Sequence, residues 1–224
     1  MTLSAWSKRW LGLYGAVAVV ALLAELTGAR TLFAGALVAL MPLLAAFTVS
    51  VRRRLDPQHR SRLLRLTLAA LFFSWLGDLA GYSLLPKVGC FLLAQLCYVA
   101  AFWPRRARSV WRRPAVAASY AAVVAVLIVV VARDAGPLAV AVMAYGASLG
   151  LMATLATGVN RVAALGGALF VVSDTILALD VFVRGFALPH APFWNILTYV
   201  VAQLLLVWGA LRLARSEGTS QGER

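Results

Sequence analysis

Apolar stretches of about twenty residues recur along this sequence, and short segments that carry charge or proline separate them. A helix needs ~20 mostly apolar residues to cross the hydrocarbon core of a bilayer. Because 62% of the residues are hydrophobic and the mean hydropathy is +0.87, little length remains for a soluble domain. The sequence therefore predicts an all-α, polytopic membrane helical bundle that forms a single integral membrane domain over residues 1–224.

The positions of the apolar stretches predict eight transmembrane helices. Helix-breaking residues such as Pro86, Pro104 and Pro114 fall between the stretches, as expected for the ends of spans. The predicted spans cover about 10–28, 31–50, 63–83, 85–103, 115–132, 136–157, 160–183 and 192–213.

Lysine and arginine are distributed unevenly between the two sides that eight spans define. Of the 21 basic residues, 17 lie near the two termini or beside the loops that follow even-numbered spans, whereas Arg30, Lys87, Arg133 and Arg184 lie on the other side. Basic residues in short loops are retained in the cytoplasm. The asymmetry predicts cytoplasmic N and C termini for a multi-pass protein of the cell inner (plasma) membrane.

The net charge of +13 would suggest nucleic acid as a partner for a soluble protein. In a membrane protein, sorting of positive loops to the cytoplasm and attraction to anionic lipid explain the same charge. A role of residues 52–65 in binding RNA or a lipid headgroup is the alternative. We predict membrane lipid as a partner and no nucleic acid, and the sequence predicts no oligomeric state.

Two aspartates fall well inside predicted spans, Asp78 in the third and Asp174 in the seventh. They lie 15 residues after Leu63 and 14 after Asn160, which places both about 22 Å from the cytoplasmic ends of their spans. A carboxylate in hydrocarbon is costly and usually faces a bundle interior or a cavity. The residue before each aspartate, Gly77 or Ser173, is small and would let a neighbouring helix approach closely. The common depth predicts one site, and the alternative is a pair of structural hydrogen-bond anchors.

The span that follows each of these aspartates carries two further polar residues. Gln95 and Tyr98 are three residues apart on the fourth span, and Tyr199 and Gln203 are four apart on the eighth. Both spacings place the two side chains on one helix face. These groups can orient a carboxylate or a polar headgroup, or they can form ordinary hydrogen bonds between helices. The repetition hints at a duplicated four-helix unit.

The sequence offers little for metal or cofactor chemistry. His59 and His190 lie in loops predicted on opposite sides of the membrane, so no metal site is predicted. A glycine-rich phosphate-binding motif and a dinucleotide fingerprint are both lacking in the sequence. We therefore predict no cofactor.

Five segments of the chain carry distinctive motifs, namely Ser74–Asp78 (SWLGD), Gly89–Phe102, Tyr145–Met152, Gly167–Leu177 and Tyr199–Gln203. Together with the number of spans, these motifs resemble the YhhN family of eight-span membrane proteins, which includes lysoplasmalogenases. Two positions depart from the family pattern. Gln95 stands where a histidine is expected, and Met41 precedes Pro42 where a lysine is usual.

The resemblance implies a hydrolase that cleaves the vinyl-ether bond of a lysophospholipid substrate, lysoplasmalogen, to a fatty aldehyde and a glycerophospho-base. Vinyl ethers hydrolyse by protonation of the alkenyl carbon, and water captures the resulting oxocarbenium ion. Two carboxyl groups in different environments can divide the roles of acid and charge stabiliser. We predict Asp78 and Asp174 as the catalytic residues, with either as the acid. The predicted substrate-binding residues are Tyr98, Tyr199, Gln203 and Gln95.

Two other classes of function are compatible with the same residues. A buried acid pair also suits a proton-coupled transporter or a binding protein for a small amphiphile. Transporters often bind their substrate at a broken helix near the middle of the membrane. The best candidate for such a break here is Gly166-Gly167, and its predicted position in the cytoplasmic half argues against transport. An interaction protein that uses its basic loops on lipid or nucleic acid is the third interpretation.

Overall fold

The computed structural model describes residues 3–53, 62–81 and 83–221 of the chain. These residues contain eight α-helices and no β-strand, which confirms the predicted all-α fold. Short 3-10 helices at Trp103–Arg108 and Val110–Arg112 precede the fifth helix, and another at Gly136–Leu138 precedes the sixth. The helices are α1 (Ala5–Thr27), α2 (Arg30–Arg52), α3 (Arg62–Leu79), α4 (Leu84–Phe102), α5 (Pro114–Asp134), α6 (Ala139–Ala156), α7 (Arg161–Phe182) and α8 (Ala191–Gln221).

Each predicted span coincides with one of these helices, and the largest differences are at the ends of the chain. The first helix begins at Ala5 rather than at residue 10, and the last continues to Gln221 rather than ending at residue 213. Polar residues at these ends extend a helix without belonging to its apolar stretch. Several residues of the sequence analysis lie outside the described part of the chain, namely Arg54, His59, Arg60 and Arg224.

Seven of the helices in the described residues are long and apolar enough to cross a membrane, by length and composition. The chain is therefore a multi-pass membrane protein. The helix outside this set is α3, whose 18 residues include Arg62, Arg65 and Asp78. An eighth span at α3, and with it the side on which each terminus lies, stays a prediction.

The outer surface of the described helices is largely apolar, unlike that of a water-soluble protein. Large apolar side chains face outwards, among them Val126 and Val140, which are 62% and 72% exposed. Polar side chains are buried instead, and Gln95 and Gln203 are each 0% exposed. A surface of this kind is stable in lipid, where polar groups are satisfied inside the bundle.

Local sequence signals explain where the helices begin and end. The side chain of Asn160 accepts a hydrogen bond from the backbone N–H of Ala163 over 3.0 Å and so caps the start of α7. Pro114 occupies the first position of α5, where its missing N–H costs nothing. Gly28 ends α1 with a φ of +71°, a left-handed conformation that favours glycine. It permits a turn so short that α2 begins at Arg30.

The chain divides into two compact units. The first comprises residues 1–101 and 207–224, and the second comprises residues 102–206. In the first unit α2 packs against both α1 and α3. In the second unit α6 packs against both α5 and α7. The description of the whole chain as one domain stays a prediction.

Candidate functional site

A hydrogen bond joins Asp174 of α7 to Tyr145 of α6 in the second unit. The phenol hydroxyl of Tyr145 donates to Oδ2 of Asp174 over 2.6 Å. Asp174 is only 9% exposed and lies thirteen residues after the start of α7 and eight before its end. At this distance from both ends its side chain cannot reach water along the helix. The polar partner that it needs is therefore supplied by a neighbouring helix.

Asp174 and Tyr145 border a cavity of about 70 Å³ between α5, α6 and α7, which we call the Asp174 cavity. Apart from these two residues and Thr175, the side chains that line it are apolar or absent, as in glycine. A pocket with a few polar groups in apolar walls is typical of a ligand site. Here the walls suit a hydrocarbon group, and the carboxyl group of Asp174 lies at their edge.

The residue next to Asp174 is fixed by a second helix. The side-chain amide of Asn195, on α8, donates to the backbone carbonyl of Ser173 over 2.8 Å. In return, the hydroxyl of Ser173 donates to the backbone carbonyl of Asn195 over 3.0 Å. This reciprocal pair joins α7 to α8 one residue before Asp174. The sequence predicted Ser173 only as a small residue that permits close packing.

Tyr199 and Gln203, predicted as substrate-binding residues, lie on the part of α8 that belongs to the second unit. Both are buried, with Tyr199 4% exposed. The ring of Tyr199 packs edge-on against Phe170, with 5.8 Å between the ring centroids. Phe170 and Asp174 are four residues apart on α7 and so share a face. Tyr199 is thus brought to the side of α7 that carries Asp174.

In the first unit, Asp78 is buried one residue before the end of α3. Lys87 on the first turn of α4 is half-buried and interacts electrostatically with it. A Cβ added at Gly77 would lie 2.7 Å from the ring of Phe91. The missing side chain of Gly77 therefore allows α4 to approach the end of α3, as the sequence predicted for this position.

Two buried tyrosines complete the group around Asp78. Tyr14 on α1 is 3% exposed and interacts electrostatically with both Asp78 and Tyr98. Tyr98 is fully buried, as is Gln95 three residues earlier on α4. Tyr14 therefore lies near both Asp78 and Tyr98 in the first unit. The roles predicted for Asp78, Tyr98 and Gln95 stay predictions.

Sequence reasoning did not select Tyr145, Tyr14, Lys87 or Asn195. Lys87 was counted only as a basic residue of an outer loop, although the cost of charge in lipid applies to it as to the aspartates. Tyr145 lies in one of the family segments, but nothing in the neighbouring sequence indicates Asp174 as its partner. Its role depends on a contact with a residue 29 positions away.

The described part of the chain shows no group of three His, Cys, Asp or Glu side chains that could hold a metal ion. Cys90 and Cys97 there are free, partly exposed thiols. The groups that the structure brings together are carboxyl, phenol, amide and ammonium groups. Such groups act by hydrogen bonding and proton transfer.

Comparisons with known proteins agree with the resemblance seen in the motifs. A segment of 71 residues is 44% identical to lysoplasmalogenase TMEM86B of Rattus norvegicus, and the match covers 32% of this chain and 30% of that protein. No solved structure matches the chain. The YhhN family matches residues 29–210, which is most of the sequence. The chain therefore belongs to the YhhN family.

Proposed function

We propose that this protein is a membrane-embedded hydrolase that cleaves the vinyl-ether bond of lysoplasmalogen. The observation that carries the proposal is the position of Asp174, a buried carboxyl group beside an apolar cavity within a membrane helix bundle. The activity itself is suggested by the relative named lysoplasmalogenase. A single-chain lipid would reach such a site from the bilayer without passing through water.

The reaction begins with transfer of a proton to the alkenyl carbon that is not bonded to oxygen. This step yields an oxocarbenium ion and leaves the acid as a carboxylate. Water then adds to the cationic carbon and returns a proton, which gives a hemiacetal. The hemiacetal collapses to the fatty aldehyde and the free hydroxyl of the glycerophospho-base, so the net reaction consumes one water molecule.

Asp174 is the proposed proton donor because it borders the apolar space that can take the alkenyl group. The hydroxyl of Tyr145 donates to Oδ2 of Asp174, which fixes the orientation of the carboxyl group. A positioned acid contributes about 10²- to 10⁴-fold to a rate. The proposal assigns stabilisation of the oxocarbenium ion to Asp78, as a carboxylate does in glycosidases.

The proposed roles of the remaining polar residues are to hold the substrate or the attacking water. Tyr98 and Gln95 would serve from α4, and Tyr199 and Gln203 from α8. Phenol and amide groups can hydrogen-bond to a headgroup or a water molecule without adding charge to the membrane interior. The proposed location is the cell inner membrane, crossed eight times.

The test is release of aldehyde from a lysoplasmalogen by the purified protein, with an ester-linked lysolipid as the substrate control. Asp174→Asn should lower the rate by about 10²-fold or more while the protein stays folded, because asparagine has nearly the same shape. Asp180→Asn is the matched control, since Asp180 is exposed on the same helix and its removal should leave the rate unchanged.

Asp78→Asn should also lower the rate by about 10²-fold or more. If both carboxyl groups serve one reaction, the double variant should be no slower than the slower single variant, because residues that act together are not additive. Full activity of the double variant would refute the proposed pair. A folded, monodisperse wild-type protein that releases no aldehyde but takes up the lipid under a proton gradient would identify a transporter instead.

A further inference from the structure

A second space adjoins the Asp174 cavity along the helix pair α5 and α6. The Asp174 cavity borders α5 from Val124 to Val131. The second space, which we call the α5–α6 groove, measures about 290 Å³ and borders α5 from Ala117 to Ile128. Val124, Ile128 and Gly150 border both spaces. The two spaces therefore adjoin and overlap along α5 between Val124 and Ile128, and the carboxyl group of Asp174 lies beside the cavity.

Two bulky side chains of α5 stand between the spaces. A Cβ added at Gly146 would lie 2.6 Å from Cγ1 of Ile128, and one added at Gly150 would lie 2.9 Å from the methyl groups of Val124. Both side chains therefore rest directly on the bare backbone of α6. Shortening them widens the passage between the groove and the cavity.

The Asp174 cavity by itself is too small for a hydrocarbon chain, whereas the cavity and the groove together are long enough. The Asp174 cavity is less than half the size of the ~150 Å³ cavity that accommodates benzene. It can hold only the reacting end of a chain. From Ala117 to Val131 the two spaces follow α5 for about 21 Å. A hydrocarbon core of about 30 Å contains two layers of lipid chains, so one chain needs on the order of 15 Å.

The groove is open to the lipid. Val131 is the one buried residue of α5, and Ala121 and Ala125, which border the groove, are exposed. Most side chains around the groove are alanine, valine, leucine or isoleucine, so an alkyl chain can enter from the bilayer and lie beside α5. This path requires no polar group to enter the hydrocarbon.

We propose that the Asp174 cavity and the α5–α6 groove together bind the apolar chain of a single-chain lipid, and that Val124 and Ile128 determine the length of chain accepted. The lipid's identity as an alkenyl lysolipid rests on the proposed function. A chain whose reacting end lies beside Asp174 extends towards Val124 and Ile128. Smaller residues at these two positions widen the passage between the two spaces and favour longer chains.

The test compares wild-type protein with Val124→Ala/Ile128→Ala in nanodiscs, using alkenyl lysolipids of eight to eighteen carbons. The ratio of kcat/KM for sixteen over eight carbons should rise about tenfold, the effect of burying roughly two further methylene groups. Adding Ala121→Leu, which refills the groove, should reverse the shift. The matched control is Val126→Ala, because Val126 is 62% exposed on the same helix and lies outside both spaces.

A second measurement separates this proposal from the proposed function. Saturated alkyl-ether lysolipids cannot be hydrolysed by this route, and their binding is measured as an increase in Tm for each chain length. If the variant binds longer chains better than wild type does, but wild type releases no aldehyde, the chain site is supported and the hydrolase is refuted. An unchanged chain-length profile in the variant refutes the chain site, even if wild type releases aldehyde. If the double variant does not fold, Val124→Ala and Ile128→Ala are measured singly and a smaller shift is expected.

Discussion

The phenol hydroxyl of Tyr145 on α6 donates a 2.6 Å hydrogen bond to Oδ2 of Asp174 on α7. This bond holds the carboxyl group at the edge of the apolar cavity that the two residues border together. A polar pair within a membrane bundle is oriented by such a bond because no bulk water competes for it. The orientation of Asp174 therefore depends on Tyr145.

Tyr145→Phe removes the hydroxyl and leaves the ring in place. If Tyr145 positions the acid, kcat should fall about tenfold, the equivalent of about 1.4 kcal/mol, while KM stays near its wild-type value. The measurement is steady-state aldehyde release together with Tm. If the variant has a lower Tm and a higher KM but an unchanged kcat, the bond is purely structural.

The pair of Ser173 and Asn195 predicts an effect on stability. Asn195→Ala removes the amide that binds both the carbonyl and the hydroxyl of Ser173, and it should destabilise the protein by about 1–3 kcal/mol. Thr198→Ala is the control on the same helix, since the hydroxyl of Thr198 bonds only to carbonyls of its own helix in the described contacts. Equal Tm values for the two variants would contradict this prediction.

The interaction of Asp78 with Lys87 predicts coupling between the two positions. Asp78→Asn and Lys87→Met should each lower stability, and the double variant should lose less than the two losses combined. Residues of one electrostatic network typically couple by about 0.5–3 kcal/mol. A thermodynamic cycle from unfolding measurements in a mild detergent tests this. Strictly additive losses would mean that the pair contributes no stability.

The number of spans predicts where the chain ends lie. Eight crossings place both termini on the same side of the membrane, and the excess of basic residues predicts the cytoplasmic side. If α3 does not cross, seven crossings place the termini on opposite sides. Reporters that are active on only one side of the membrane, attached to each terminus in turn, distinguish the two cases.

The sequence could locate the helices because the necessary information is local. An apolar stretch of sufficient length predicts a span wherever it occurs, and residues such as Pro114 and Asn160 mark helix starts by their own chemistry. Burial of Asp174 also followed from the sequence alone, since charge in hydrocarbon is costly at any position. The small residues Gly77 and Ser173 indicated close packing for the same kind of reason.

The partner of each buried group was decided by tertiary structure. Tyr145 meets Asp174, and Asn195 meets Ser173, across 29 and 22 positions of sequence. Helical periodicity determines which residues of one helix share a face, but it does not determine which face of another helix lies opposite. That choice depends on how side-chain volumes fit between helices, as Ile128 fits against Gly146. The sequence by itself thus determined the membrane helices and the acids buried in them, while packing between helices decided what those acids contact.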